Sequence, residues 1–350
     1  MFYIRADGNP EIGMGHMMRC LSVADAAHAL TAIKPVFLLA DHTCRRMVED
    51  RGFETKVLNT DFRDMESEQT VLSDLLHAED VVLADSYQVT DSYLKDLRKL
   101  CRVACMDDMG HPYPVDLLIN YNIYGPDLKK VYESAVPDEN KPSCFLLGTE
   151  YMPLREQFRY DRDYTVRDKV TDVLITTGSS DPLFAAGKIL EGILESDFLC
   201  RNPICCHVVS GPFNQFSEEL KSKYGSSDNI IIHENVENMN VLMKRADVVI
   251  TAAGSTVYEV SSLGIPMIVF YFAENQKQGA EALERLTDIV NAGCFAECSE
   301  TVIERVSMTL EKCVRDKAYR ELLNRQERRL VDGKGAERIA EAIDRLAHGG

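Results

Sequence analysis

The sequence predicts an α/β protein built from two doubly wound parallel-sheet domains, and three observations carry that expectation. The first is length: 350 residues exceed what one hydrophobic core usually holds, and domains of roughly 150 residues are the ordinary solution. The second is rhythm, since short β-branched apolar runs alternate with helical patterns, the grammar of a parallel sheet covered by helices on both faces. The third is that this rhythm stops at one polar stretch, Tyr160 to Lys169, and then restarts.

In chain order, Phe2 to Arg5, Val36 to Leu39, Asp80 to Ala84, Arg102 to Met106, Leu117 to Asn120 and Cys144 to Leu147 read as buried strands of the first domain. Val173 to Thr176, Ile204 to Val209, Ile230 to His233, Asp247 to Thr251 and Met267 to Phe272 read as strands of the second. Helices are expected between them near Pro182 to Glu195, Val236 to Arg245 and Ser255 to Leu263, and the tail from Thr301 to Leu346 reads as helical with a break at Gly333 to Gly335. The expected division is a first domain over 1–157, a linker over 158–169, a second domain over 170–332, and a terminal helix over 333–350 that packs back on the first domain. Two such domains present a cleft at their strand carboxyl ends, where ligands of these sheets bind.

Composition narrows the function classes. Hydrophobic residues make up 45% and charged ones 27%, the usage of a soluble globular chain. Lys plus Arg total 39 against 56 for Asp plus Glu, a net charge of -17 without any Lys/Arg-rich block, which argues against nucleic acid and against an anionic membrane surface. The start of the chain has no basic, apolar leader pattern, and the longest apolar run, Ile265 to Ala273, is too short to span a bilayer. Eleven cysteines, an odd number with no CxxC pair, read as reduced core residues of a cytoplasmic protein.

The richest segment is Arg5-Ala-Asp-Gly-Asn-Pro-Glu-Ile-Gly-Met-Gly-His-Met-Met-Arg-Cys20. Gly13 and Gly15 suggest a dinucleotide fingerprint, but the third glycine would fall at Met18, and no GK[ST] is present for a P-loop. What remains is His16 opening a helix at the expected cleft, with glycines permitting close approach of a ligand. The positive end of the helix disfavours imidazolium, which leaves a neutral ring able to accept a proton.

Two loops of the second domain share one form: Thr176-Thr-Gly178-Ser179-Ser-Asp-Pro182 and Thr251-Ala-Ala-Gly254-Ser255-Thr256-Val-Tyr-Glu259. Each reads as a small-residue turn feeding free helix N–H groups, a natural place for phosphate oxygens. Glu259 is placed to accept ribose hydroxyls, and Glu274-Asn275-Gln276 forms a polar cluster after a strand. Asp161-Arg-Asp163 falls in the expected linker and reads as solvated charge rather than a metal site.

At these residues the chain resembles a known family. The run from Arg5 to Cys20 is similar to the N-terminal signature of the PseG family, UDP-sugar hydrolases of pseudaminic acid biosynthesis, and 235–276 resembles the UDP-binding half of MurG-type enzymes. The resemblance implies a GT-B fold of two Rossmann-like domains and hydrolysis of UDP-2,4-diacetamido-2,4,6-trideoxy-β-L-altropyranose, with inversion at the anomeric carbon, needing water but no metal and no cofactor. It implies that His16, Tyr87 and Asn275 are catalytic. Gly13, Gly15, Arg19, Asp107, Asn120, Asn122, Arg155, Gly178, Ser179, Val236, Gly254, Ser255, Thr256, Glu259 and Gln276 are expected to bind the substrate and its UDP, with Asp107, Asn120 and Asn122 facing the sugar. One departure is Thr177-Gly178, where a Gly-Gly pair is usual. A monomer is expected, and the competing function is a GT-B glycosyltransferase using a UDP-sugar donor.

Overall fold

The structure is a computed structural model that describes residues 1–9, 11–31, 33–134, 142, 144–159, 161–197 and 201–348; Tyr160 of the expected linker and Cys200 lie outside them. The chain divides into two compact units, one of 1–156 with 333–350 and one of 157–332. Among the described residues no helix is long and apolar enough to cross a membrane.

The first unit carries a seven-stranded sheet of β1 (Phe2–Ala6), β2 (Val36–Leu39), β3 (Glu54–Val57), β4 (Val81–Asp85), β5 (Arg102–Met106), β6 (Leu117–Asn120) and β7 (Cys144–Leu147), in spatial order β3-β2-β1-β4-β5-β6-β7 with every pair parallel. Central strands such as Val-Val-Leu-Ala-Asp of β4 are buried along their whole length, which is why they read as unbroken apolar runs. The edge strand β3, Glu-Thr-Lys-Val, is half exposed, and its polar composition hid it from the sequence reading.

Helices cover this sheet. Asp91–Leu100 begins where the Thr90 side chain accepts the Tyr93 amide at 3.1 Å, places Asp91 in its first turn and Arg98 and Lys99 in its last, and buries Tyr93, Leu94 and Leu97. The terminal helix Gly335–Ala347 packs in this unit beside Gly15–Thr31. Any side chain at Gly335 would meet the Met152 backbone, with a Cβ only 2.2 Å from its carbonyl oxygen, and Arg338 Nη1 donates to the Glu150 carbonyl at 2.7 Å.

The second unit carries β8 (Asp172–Thr176), β9 (Cys205–Ser210), β10 (Ile230–Glu234), β11 (Val248–Ala252), β12 (Met267–Tyr271) and β13 (Val290–Cys294), in parallel order β10-β9-β8-β11-β12-β13. Its other edge, β13, also escaped the sequence reading, for Asn291 and Gly293 interrupt it and its register slips against β12. The tail is not one helix before Gly333 but two, Ser299–Arg315 and Lys317–Leu330, the second capped by Asp316, whose carboxylate accepts the Tyr319 amide at 2.9 Å.

The segment after Gln157 lies with the second unit rather than standing as free linker. Tyr164 is buried, Arg167 pairs with Asp247 at 2.8 Å, and Arg162 donates to the Val331 carbonyl at 2.8 Å. Asp161 and Asp163, expected as solvated charge, both pair with Lys244, at 2.5 and 3.2 Å.

Candidate active site

In an open parallel sheet, ligands collect at the carboxyl ends of the strands where the strand order reverses. In the first unit that point lies between β1 and β4, so the loop after β1 and the end of β4 are the residues to examine. The loop is pinned from below. Arg5, fully buried, donates from Nε to Glu68 Oε2 at 2.8 Å and from Nη1 to Asp7 Oδ2 at 2.5 Å, while Asp7 Oδ1 accepts the Ala40 amide at 2.9 Å. Asn9 Oδ1 then accepts the amides of Glu11 and Ile12, and Gly13 N donates to Asn9 O at 2.8 Å, a tight return that Gly13 permits with φ +75. The chain leaves this return directly into the helix Gly15–Thr31.

His16, the second residue of that helix, is 4% exposed, and its Nδ1 lies 2.7 Å from Oδ1 of Asp85 at the end of β4. A carboxylate oxygen only accepts, so Nδ1 carries the hydrogen of this contact, with Arg19 Nη2 3.1 Å from the same nitrogen, and Nε2 is the ring atom turned to other partners. Nε2 has no hydrogen-bond partner among the described residues. The half-exposed Tyr87 packs edge-on against the ring, centroids 4.5 Å apart. Asp85 is therefore the residue the sequence reading passed over. The signal was present, as a carboxylate closing the buried run Val-Val-Leu-Ala at the ligand end of a central strand.

Arg19, expected among the substrate-binding residues, is engaged in this framework. Its Nε and Nη2 hold the two Asp85 oxygens at 2.6 and 2.5 Å, and Nη1 reaches Asp108 Oδ2 at 2.6 Å and the Tyr121 hydroxyl at 2.5 Å. Burial opposes ionisation of Asp85, but Arg19 and then His16 outweigh it and hold its carboxyl far below the usual carboxylate range. A folded-state value below the unfolded one means stability that is present above about pH 4 and lost as pH falls toward the folded value.

Asp107 and Asn120 also face inward. Asp107 accepts from the Tyr132 hydroxyl at 2.5 Å and from the amides of Met109 and Gly110, while burial pushes its carboxyl up. Asn120, fully buried, donates to the Tyr132 hydroxyl at 2.8 Å and accepts the Asn122 amide at 3.0 Å. These two residues hold the strand-end loops in place. Asn122 is half buried and donates to Asp108 Oδ1 at 3.0 Å; Arg155 is half buried after the short turn at Thr149–Tyr151.

In the second unit the strand order reverses between β8 and β11, the strands that carry the two glycine loops. After β8, Gly178 adopts φ +88, and the turn lies so close to Gly211 that a Cβ there would sit 2.2 Å from the Gly178 carbonyl oxygen. The following helix begins at Ala185, not Pro182, and its first amides are already taken: Asp181, 1% exposed, accepts Ala185 N at 2.7 Å and Ala186 N at 2.9 Å. Two of the expected free helix N–H groups are thus already taken. Ser179 is exposed on the turn, and the Thr177, Ser210 and Asn214 side chains each bury a polar atom with no partner.

After β11, the helix Thr256–Leu263 begins without a side-chain cap, and the amides of Ser255 and Thr256 have no partner among the described residues. A Cβ at Gly254 would meet nothing within 4 Å, so the space over this helix start is open. Glu259 lies in its first turn, 8% exposed. Val236 is half buried, beside Asn235 with its φ of +50. Asn275 is exposed in the first turn of Glu274–Leu286, and Gln276 Oε1 accepts the Phe272 amide at 3.2 Å, holding the turn after β12.

Residues 173–345 match the model of the glycosyltransferase family 28 C-terminal domain. Among solved structures the chain is similar to MurG of Acinetobacter baumannii, with TM-score 0.65 and 15% identity over 98% of this chain and 99% of that one. It is also similar to S. aureus MnaA solved with UDP, with TM-score 0.67 and 15% identity over 99% and 96%. The chain has the GT-B fold. Among curated proteins it is 28% identical to the uncharacterized protein MJ1062 of Methanocaldococcus jannaschii, over 98% of this chain and 66% of that protein. It is 25% identical to the spore coat polysaccharide biosynthesis protein SpsG of Bacillus subtilis, over 98% and 97%. A third relative is the Helicobacter pylori pseudaminic acid cytidylyltransferase and UDP-2,4-diacetamido-2,4,6-trideoxy-β-L-altropyranose hydrolase, 24% identical over 78% of this chain and 45% of that protein.

Proposed function

We propose that the chain is a UDP-sugar hydrolase that cleaves a UDP-linked 2,4-diacetamido-2,4,6-trideoxyhexose to free sugar and UDP. The observation that carries this reading is the His16 ring, fixed through Nδ1 by Asp85, with Nε2 making no hydrogen bond among the described residues. In the proposed reaction Nε2 takes a proton from water, the water oxygen bonds to the anomeric carbon, and the bond from that carbon to the β-phosphate oxygen breaks. UDP leaves with the electron pair, and attack opposite the leaving group inverts the anomeric centre. Asp85 stabilises the imidazolium as it forms, with Arg19 keeping that carboxylate ionised. Tyr87 and Asn275 orient the sugar and the water.

The diphosphate is assigned to the uncapped amides of Ser255 and Thr256, where Gly254 leaves room for phosphate oxygens. Gly178 and Ser179 supply a lesser contact, Glu259 takes the ribose, and the backbone at Val236 with Gln276 frames the base side. The hydrolase activity for which the Helicobacter pylori relative is named supports the choice of reaction, and UDP in the MnaA structure supports the choice of nucleotide. The match of 173–345 to a glycosyltransferase family model favours a second reading, transfer of the sugar to an acceptor other than water.

Incubation with the UDP-sugar in buffer alone separates the two readings. The hydrolase releases UDP and reducing sugar in equal amounts. UDP release that requires an added acceptor replaces this reading with the transferase.

A further inference from the structure

At the end of the second sheet opposite the glycine turns, side chains of three adjacent strands meet on one face. Asp172 opens β8, and Cys205 opens β9 directly across from it. Alternation along β9 brings His207 to the same face, and the register with β10 does the same for His233. His207 is 5% exposed, with Nε2 3.0 Å from Asp172 Oδ1 and Nδ1 2.9 Å from His233 Nε2. The thiol of Cys205, half buried, makes no hydrogen bond among the described residues.

One ligand atom each from Asp172, Cys205 and His207 lie within 4.8 Å of one another. Tetrahedral zinc with bonds of about 2.0 to 2.3 Å separates its ligand atoms by roughly 3.3 to 3.7 Å, so small rotamer changes close the set on one ion. We propose that Asp172, Cys205 and His207 form a zinc-class metal site. The mix of thiolate, imidazole and carboxylate suits that ion better than calcium or magnesium, which take oxygen ligands. Two anionic ligands balance the dication, and the nearest cation, Arg167, is already engaged by Asp247 at 2.8 Å. With Nε2 on the metal, His207 turns its Nδ1–H toward His233, which orients the ring as outer-sphere partners of metal-bound histidines do. Three protein ligands leave a fourth position for water. The ion would tie the edge strand pair β9 and β10 to central β8, through β9 and its histidine contact, at an end of the sheet remote from the turns after β8 and β11.

The test uses the full chain stripped with EDTA and titrated with Co²⁺, whose tetrahedral visible bands and thiolate charge-transfer band report the ligand set. One equivalent is expected to bind with both features, to be displaced by Zn²⁺, and to raise the unfolding temperature reversibly. Cys205→Ser is expected to abolish the charge-transfer band, whereas Cys298→Ser, at an exposed thiol on another element, is expected to leave it intact. His207→Gln, or His233→Gln if that variant does not fold, is expected to weaken binding by roughly tenfold or more. Absence of the charge-transfer band in the unmodified chain overturns the site, as does a band that survives Cys205→Ser.

Discussion

The two glycine turns of the second unit follow neighbouring strands and look alike in sequence, yet they are opposite in chemistry. After β8 the helix start is filled from within, because Asp181 occupies the amides of Ala185 and Ala186 and the turn is laid against Gly211. After β11 the helix Thr256–Leu263 opens bare, with no capping side chain and the Ser255 and Thr256 amides without a partner among the described residues, although the space beside Gly254 is as open as that beside Gly178. A helix N-terminus attracts one anion, and a chain that supplies its own carboxylate there has used the position. A strand, a small-residue turn and a helix are therefore too little to assign a phosphate site; the capping residue decides.

That contrast can be broken by substitution, beginning with the largest effect. Gly254→Val puts a branched side chain into open space, so the fold should tolerate it while UDP affinity falls roughly a hundredfold, about 2.7 kcal/mol; calorimetric titration with UDP measures this. An unchanged dissociation constant would move the diphosphate away from this turn. Asp181→Ala should do the reverse, costing about 1 to 2 kcal/mol of stability in denaturant unfolding while UDP affinity stays within about threefold. A large loss of UDP affinity there would mean that both turns share the phosphate. Gly178→Ala should have the smallest effect, about 1 kcal/mol from forcing a Cβ into positive φ, again with little change in UDP affinity.

Much of the sheet architecture was legible in the sequence because parallel strands buried on both faces must be apolar throughout, and Val36–Leu39, Arg102–Met106 and Leu117–Asn120 were readable to the residue. The edge strands Glu54–Val57 and Val290–Cys294 were not, since a strand with one solvated side carries polar residues and glycine. At the site, His16 was visible from its glycines and its place at a helix start. Its partner was not, because Asp85 lies 69 residues away and only the parallel pairing of β1 with β4 joins them. Arg19 in the first helix and Asp107 and Asn120 at strand ends show the converse: their buried partners lie far away in sequence, and only side-chain geometry reveals them.

The central claim is that His16 activates water while nucleotide binding resides elsewhere. The most direct measurement compares acceptor-free UDP release and UDP affinity in the unmodified chain and in His16→Ala. The account predicts a fall in release of roughly 10²- to 10⁴-fold with the UDP dissociation constant within about twofold. Release that stays above about a tenth of the unmodified rate would contradict it.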